Sequence, residues 1–167
     1  GNLVIDAAQY AALKTANITL ADGANDMVTL AGGGAALTGF AGGGGLLADA
    51  TAITAAKTWG VDQIDVMDNA LTLTLGQLNA LLAAGLALDP SDTVTLCATG
   101  TALGGLSVGD AVTPGTLAHY FAQGVDVLDA SNDLLTLSVA QMNAVTDAGA
   151  SLTAADVITL ADTGPNL

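Results

Sequence analysis

The chain has 167 residues with sixteen Asp, two Lys and no Glu or Arg, so its net charge is −14. Binding to nucleic acid or an anionic membrane surface needs cations that displace counterions, and Lys14 and Lys57 alone cannot supply them. Just over half the residues are apolar, mostly Ala, Leu, Val and Ile with five aromatics, which excludes wholesale disorder and suits thin repeated layers.

In chain order, Leu3–Leu13 (LVIDAAQYAAL) opens with alternating apolar residues and then Asp6-Ala-Ala-Gln9, the spelling of a helix capping box. Asp26–Leu30 (DMVTL) reads as a strand. Gly32–Gly45 reads as a loop or loose pass, and Thr51–Trp59 as a helix ended by Gly60. Val61, Ile64, Val66, Asn69 and Leu71 keep the spacing of a leucine-rich repeat with smaller side chains, which predicts a strand and a turn. Thr74-Leu-Gly-Gln77 starts a helix whose stripe is Leu75, Leu78, Leu81 and Leu82, and Gly85 stops it. Val94, Leu96 and Thr99 mark another strand. Thr113-Pro114 predicts a helix start, with Leu117, Tyr120 and Phe121 facing inward before Gly124.

From Gly124 the chain repeats itself. Gly60–Gly100 and Gly124–Gly164 align without a gap, and 18 of 41 positions are identical. Ser138–Gln141 repeats the capping box, Val139, Met142 and Val145 the stripe, and Gly149 the stop. With the weaker match of Leu3–Leu30, the chain is a single repeat-array fragment over residues 1–167. The expected organisation is a degenerate copy at 1–59, a copy at 60–123 and a partial copy at 124–167, a fragment that would start and stop inside a repeat. One strand–helix pass cannot bury its own apolar side, whereas stacked passes bury one another. The expected fold is α/β, a right-handed solenoid of about five leucine-rich-repeat-like passes, with a parallel sheet on one face and helices on the other. A compact α/β domain with pseudo-twofold symmetry is the alternative.

In that register Thr29, Asp65, Thr95, Asp129 and Thr159 occupy exposed strand positions. They form either a ligand-binding face for glycan or protein, a water-ordering array, or a solvated sheet rich in β-branched Thr. Asp62, Asp65, Asp68 and Asn69 recur as Asp126, Asp129, Asn132 and Asp133. Such oxygen donors suit calcium, and equally suit turns and caps; no EF-hand loop or calcium nonapeptide is spelled. Cys97 is single, so it reads as a small buried hydrophobe. His119 is the only histidine and no Ser–His–Asp arrangement is signalled, nor does a Lys-Ser/Thr follow Gly42–Gly45 as a phosphate loop requires. No catalytic residues are assigned and the expected protein is not an enzyme.

The pattern GVDxxDxxDNxLTLxxxQxNAxxxAG…DxVTLxxTG resembles tandem Ala/Asp/Thr-rich repeats of very large secreted bacterial surface proteins, adhesin-like and exported by type I systems alongside calcium-binding repeats. That resemblance implies an extracellular, cell-surface module in adhesion, biofilm or matrix assembly. Its partners would be neighbouring repeats, further copies of itself, a glycan or a cell-surface protein, with calcium as its one cofactor. Neither nucleic acid nor membrane insertion is expected.

Overall fold

The computed structural model describes residues 1–20, 26–39 and 45–164. The chain divides into two compact units, Gly1–Asp92 and Thr93–Leu167. That boundary lies half a repeat away from the sequence boundaries at Gly60 and Gly124.

The first unit runs β1 (Asn2–Asp6), α1 (Ala7–Thr15), β2 (Met27–Gly32), α2 (Gly34–Thr38), α3 (Ala50–Thr58), β3 (Gln63–Val66), β4 (Ala70–Thr74), α4 (Leu75–Ala84) and β5 (Ala87–Leu88). The second runs β6 (Thr93–Ala98), α5 (Gly100–Gly104), α6 (Leu117–Ala122), β7 (Val125–Ala130), β8 (Leu134–Leu137), α7 (Val139–Asp147), β9 (Ser151–Leu152) and β10 (Val157–Leu160). From β2 and from β6 onward the same order of elements follows, so the repeated spelling folds the same way twice.

The fold is α/β with parallel strands. In the first unit β1, β2, β3 and β5 form one sheet, with Leu30 opposite Ile64 and Ile64 opposite Leu88. In the second unit β6, β7 and β9 adjoin in order, with Leu96 opposite Leu128 and Leu128 opposite Leu152, while β10 pairs with β8 in a separate sheet. The strands therefore do not lie in one continuous sheet. The cause is a tight turn after β3 and β7. Asn69 and Asp133 take left-handed backbone (φ 51° and 55°) and donate their N–H to Val66 O and Ala130 O, both at 2.7 Å. Asn and Asp tolerate this conformation better than other residues with a Cβ. The chain is turned into a second strand where a leucine-rich repeat would enter a loop.

The core follows the expected spacing. Val61, Ile64, Val66 and Leu71 are buried, as are Val125, Leu128, Ala130 and Leu135. All three capping boxes form: Asp6 with Gln9, Thr74 with Gln77 and Ser138 with Gln141. Gly85 caps α4 in left-handed conformation, and Gly149 follows α7 in the same one.

One expectation is corrected and two are sharpened. Thr113-Pro114 does not start a helix: Gly115 turns the chain at φ 82°, and Thr116 becomes the N-cap of α6, its hydroxyl accepting the His119 N–H. The described part of the glycine run takes the loose-pass alternative rather than the loop. Gly32 closes β2 and Gly34–Thr38 is α2, while residues 40–44 lie outside the described residues. A short helix, α5, which the spacing does not predict, follows Thr99, whose hydroxyl accepts the Ala102 N–H as its N-cap.

The short helices α2 and α5 explain two glycines. A Cβ on Gly34 would sit 2.2 Å from Ala70 O, and one on Gly100 would sit 1.7 Å from Leu134 O. Only hydrogen fits there, so each short helix starts in direct contact with the strand that follows the tight turn.

Candidate functional site

Three of the acidic side chains singled out by spacing, Asp62, Asp68 and Asp126, accept backbone N–H groups inside the fold, as do Asn132 and two further acids. Asp62 Oδ2 accepts the Val28 N–H at 3.0 Å, and Asp126 Oδ2 accepts the Val94 N–H at 2.8 Å. Asp68 Oδ1 and Asn132 Oδ1 accept the N–H of Gly34 and Gly100, the first residues of α2 and α5, at 3.0 and 2.8 Å. Asp92 and Asp156 do the same for Val66 and Ala130, both at 3.0 Å. Each carboxylate or amide thus reaches a backbone donor from 26 to 34 residues earlier and satisfies a group the strand ladder leaves open. A charge-assisted hydrogen bond of this kind contributes about 1.5–3 kcal/mol.

Gln77 and Gln141 add a second tie that capping-box spelling alone does not reveal. Both side chains are buried. Gln77 Nε2 donates to Thr38 O and Leu47 O at 2.9 and 3.1 Å, and Gln141 Nε2 donates to Gly104 O and Leu106 O at 2.9 and 2.7 Å. One amide therefore caps its own helix with oxygen and holds the end of the preceding short helix with nitrogen.

The environment of each acid differs. Burial works against the Asp62 charge, but the Lys57 ammonium at 2.6 Å and the Val28 N–H outweigh it and hold this carboxyl below the usual range. Burial pushes Asp92 up, the Val66 N–H opposes this, and the charges of Asp65, Asp89 and Asp68 add to the rise. The second oxygens of Asp92 and Asp156 are buried with no hydrogen-bond partner among the described residues.

The expected calcium donors are spread out. Asp62 and Asp68 stand beyond opposite ends of β3, whose four residues span roughly 13 Å, and Asp126 near the start of β7 is likewise held apart from Asn132 in the turn past its end. One ion cannot bridge such a pair. Asn69 and Asp133 occupy the left-handed turns, and Asp65 and Asp129 lie within β3 and β7. Among the described residues, no group of three or more His, Cys, Asp or Glu is arranged to hold a metal ion.

The five residues of the expected ligand face do not form one row. Thr29 is buried, its hydroxyl donating to Gln63 Oε1 at 3.2 Å, and it stands opposite Gln63 rather than Asp65. Asp65 stands opposite Ala31, Thr95 opposite Val127 and Asp129 opposite Cys97. Thr159 is exposed on β10, opposite Thr136 in the separate sheet. Cys97 is buried, and burial followed by its hydrogen bond to the Asp129 carboxylate pushes the thiol up to about 12. A thiol so held stays protonated and inert at neutral pH. His119 Nδ1 lies 2.9 Å from Ala111 O, tying α6 to the loop before it.

A feature that spacing does not reveal is an open apolar groove of about 460 Å³ on the first unit, formed by β1, α1 and the segment to Leu20. Among the described residues no helix is long and apolar enough to cross a membrane. No family model matches the chain, and no curated protein matches it.

Proposed function

We propose that this chain is a non-enzymatic structural module of a large extracellular bacterial surface protein, one stretch of a repeat array used in adhesion or matrix assembly. Repeats of this kind would wind as a right-handed α/β solenoid, about five strand–helix passes in this chain, because parallel strands joined through helices almost always cross over with that hand. The observation that carries the reading is the duplicated interlock. In both units the same Asp or Asn side chains, the same Gln and the same close-approach glycine tie one pass to the next. Polar side chains spent on backbone donors and carbonyls serve rigidity along an array. Calcium enters only as an added clamp at the strand ends.

Two experiments test this. Antibody against the chain should label intact cells of the source organism; labelling only after permeabilisation contradicts a surface role. Three chains joined in tandem should scatter X-rays as one stiff rod whose length grows by a constant step per copy, while a flexible string of separate beads would contradict the array.

The second reading, a glycan- or protein-binding domain, draws on the partly exposed pair Asp65 and Asp129 on equivalent strands. A glycan array bound by the chain and lost with Thr95→Lys would favour it.

A further inference from the structure

We infer that the groove on β1 and α1 is the seat of one more repeat, a second copy of the segment Thr93–Asp133, delivered ahead of Asn2 in the same polypeptide. The inference rests on the array reading above and adds the residues that receive the neighbour.

β1 and α1 carry the same spelling as β4–α4 and β8–α7. Leu3, Ile5, Gln9 and Leu13 correspond to Leu71, Leu73, Gln77 and Leu81, and to Leu135, Leu137, Gln141 and Val145. All eight of those counterparts are buried. In the groove Leu3 is 44% exposed, and Ile18, the counterpart of buried Leu86, is 52% exposed. Gln9 still closes its capping box, with Asp6 N–H donating to its Oε1 at 2.9 Å, yet it is exposed beside the groove. Its two counterparts each hold a pair of carbonyls from a preceding short helix and loop.

The cover is known in both built cases. α2 sits on β4 through Gly34, and α5 sits on β8 through Gly100. α3 and α6 then pack against α4 and α7. In both units the covering helices precede in the chain the strand they cover, with only β3 or β7 between, which is why the missing cover is assigned to a segment joined ahead of Asn2.

A third position agrees. Asn17 takes left-handed backbone (φ 55°) where Gly85 and Gly149 do, and Ile18 N–H donates to Leu13 O as Leu86 does to Leu81 and Ala150 to Val145. Just beyond that turn, β5 and β9 form by pairing with β3 and β7. Thr19–Leu20, at the same place, belongs to no strand. Leu20 N–H already donates to Trp59 O at 3.1 Å, and a β7-like strand arriving with the extra repeat would pair along the other side of this segment. The groove thus asks for a glycine-led helix, two carbonyls for Gln9 and a parallel strand, and Thr93–Asp133 contains all three.

The test fuses a second copy of Thr93–Asp133 directly ahead of Asn2 in the full chain, with Cys97 and its copy changed to Ala and Ile18→Cys as reporter. The expected result is a maleimide labelling rate at the reporter at least about tenfold below that of the unfused chain, with a melting temperature higher by about 3 °C or more. Leu3→Asp in the fused chain should restore fast labelling, as should Gly→Leu at the copied Gly100. Equal labelling of the fused and unfused chains, with both folded by circular dichroism, overturns the inference. So does slow labelling that survives both variants. The surface-labelling experiment can fail while the reporter is protected, and the reporter can stay open on a protein that reaches the cell surface, so the two readings fall separately.

Discussion

β6 and β10 are spelled almost alike, DTVTL against DVITL, yet they end in different surroundings. On β6 Val94 and Leu96 are 1% and 0% exposed; on β10 Ile158 and Leu160 are 37% and 48% exposed. The difference is β7. It lies beside β6, and its Asp126 accepts the Val94 N–H, whereas β10 has β8 on one side and, among the described residues, an open edge on the other. Side-chain type therefore sets which residues are able to be core, and the neighbouring pass sets which residues are. An exposed edge of this kind is a template for further pairing.

The largest expected contrast is in the aliphatic interior. Leu96→Ala should lose about 2–5 kcal/mol, because it removes a fully enclosed side chain and leaves a cavity. Leu160→Ala should lose less than about 1 kcal/mol. Denaturant unfolding of the two variants checks this, and equal losses would break the comparison.

Glycine sharpens it next. Gly100→Ala drives a methyl group into Leu134 O and should cost about 1–3 kcal/mol, whereas Gly164, at the same repeat position, has nothing within 4 Å of a Cβ and should accept Ala without loss. Thermal melting of both variants is sufficient.

Asp126→Ala strands the Val94 N–H and should cost about 1–3 kcal/mol, with Asp126→Asn recovering most of it, since an amide oxygen can still accept. Denaturant midpoints measured side by side decide this.

The smallest effects are those of pH. Asp62 is held below its ordinary value in the fold, so its contribution is present at neutral pH and is lost as pH falls through that depressed value. Cys97 is the opposite case: its thiol is raised to about 12, so stability declines as pH climbs above the ordinary thiol range toward that value. Iodoacetamide at pH 8 should leave Cys97 unmodified in the folded chain and modify it after unfolding. Rapid modification of the folded chain would contradict its buried, protonated state.

Much of the fold was legible because its signals are local. Capping boxes span four residues and strand alternation five, and both read correctly at Thr74–Gln77 and Val61–Leu71. What was not legible is carried by contacts between distant residues. Asp126 looks like a free surface acid until Val94 is placed beside it, 32 residues away. Thr29 looks exposed by alternation but is buried against Gln63. The helix α5 has five residues, too few for a helical period to stand out. Pro114 misled because the left-handed Gly115 moves the cap to Thr116. The candidate calcium and ligand positions share this weakness: spacing groups Asp62 with Asp68, and a strand then holds them apart.

Hydrogen exchange at β6 and β10 tests most directly whether a neighbouring pass, rather than the strand's own spelling, confers protection. On β10 the N–H groups of Val157 and Ala161 donate to Asp133 O and Leu137 O, which leaves those of Ile158 and Leu160 toward the open edge. The expected result is slow exchange at Val94 and Leu96, near the limit of global unfolding, with fast exchange at Ile158 and Leu160. Equal protection of the two pairs in the isolated chain would contradict it.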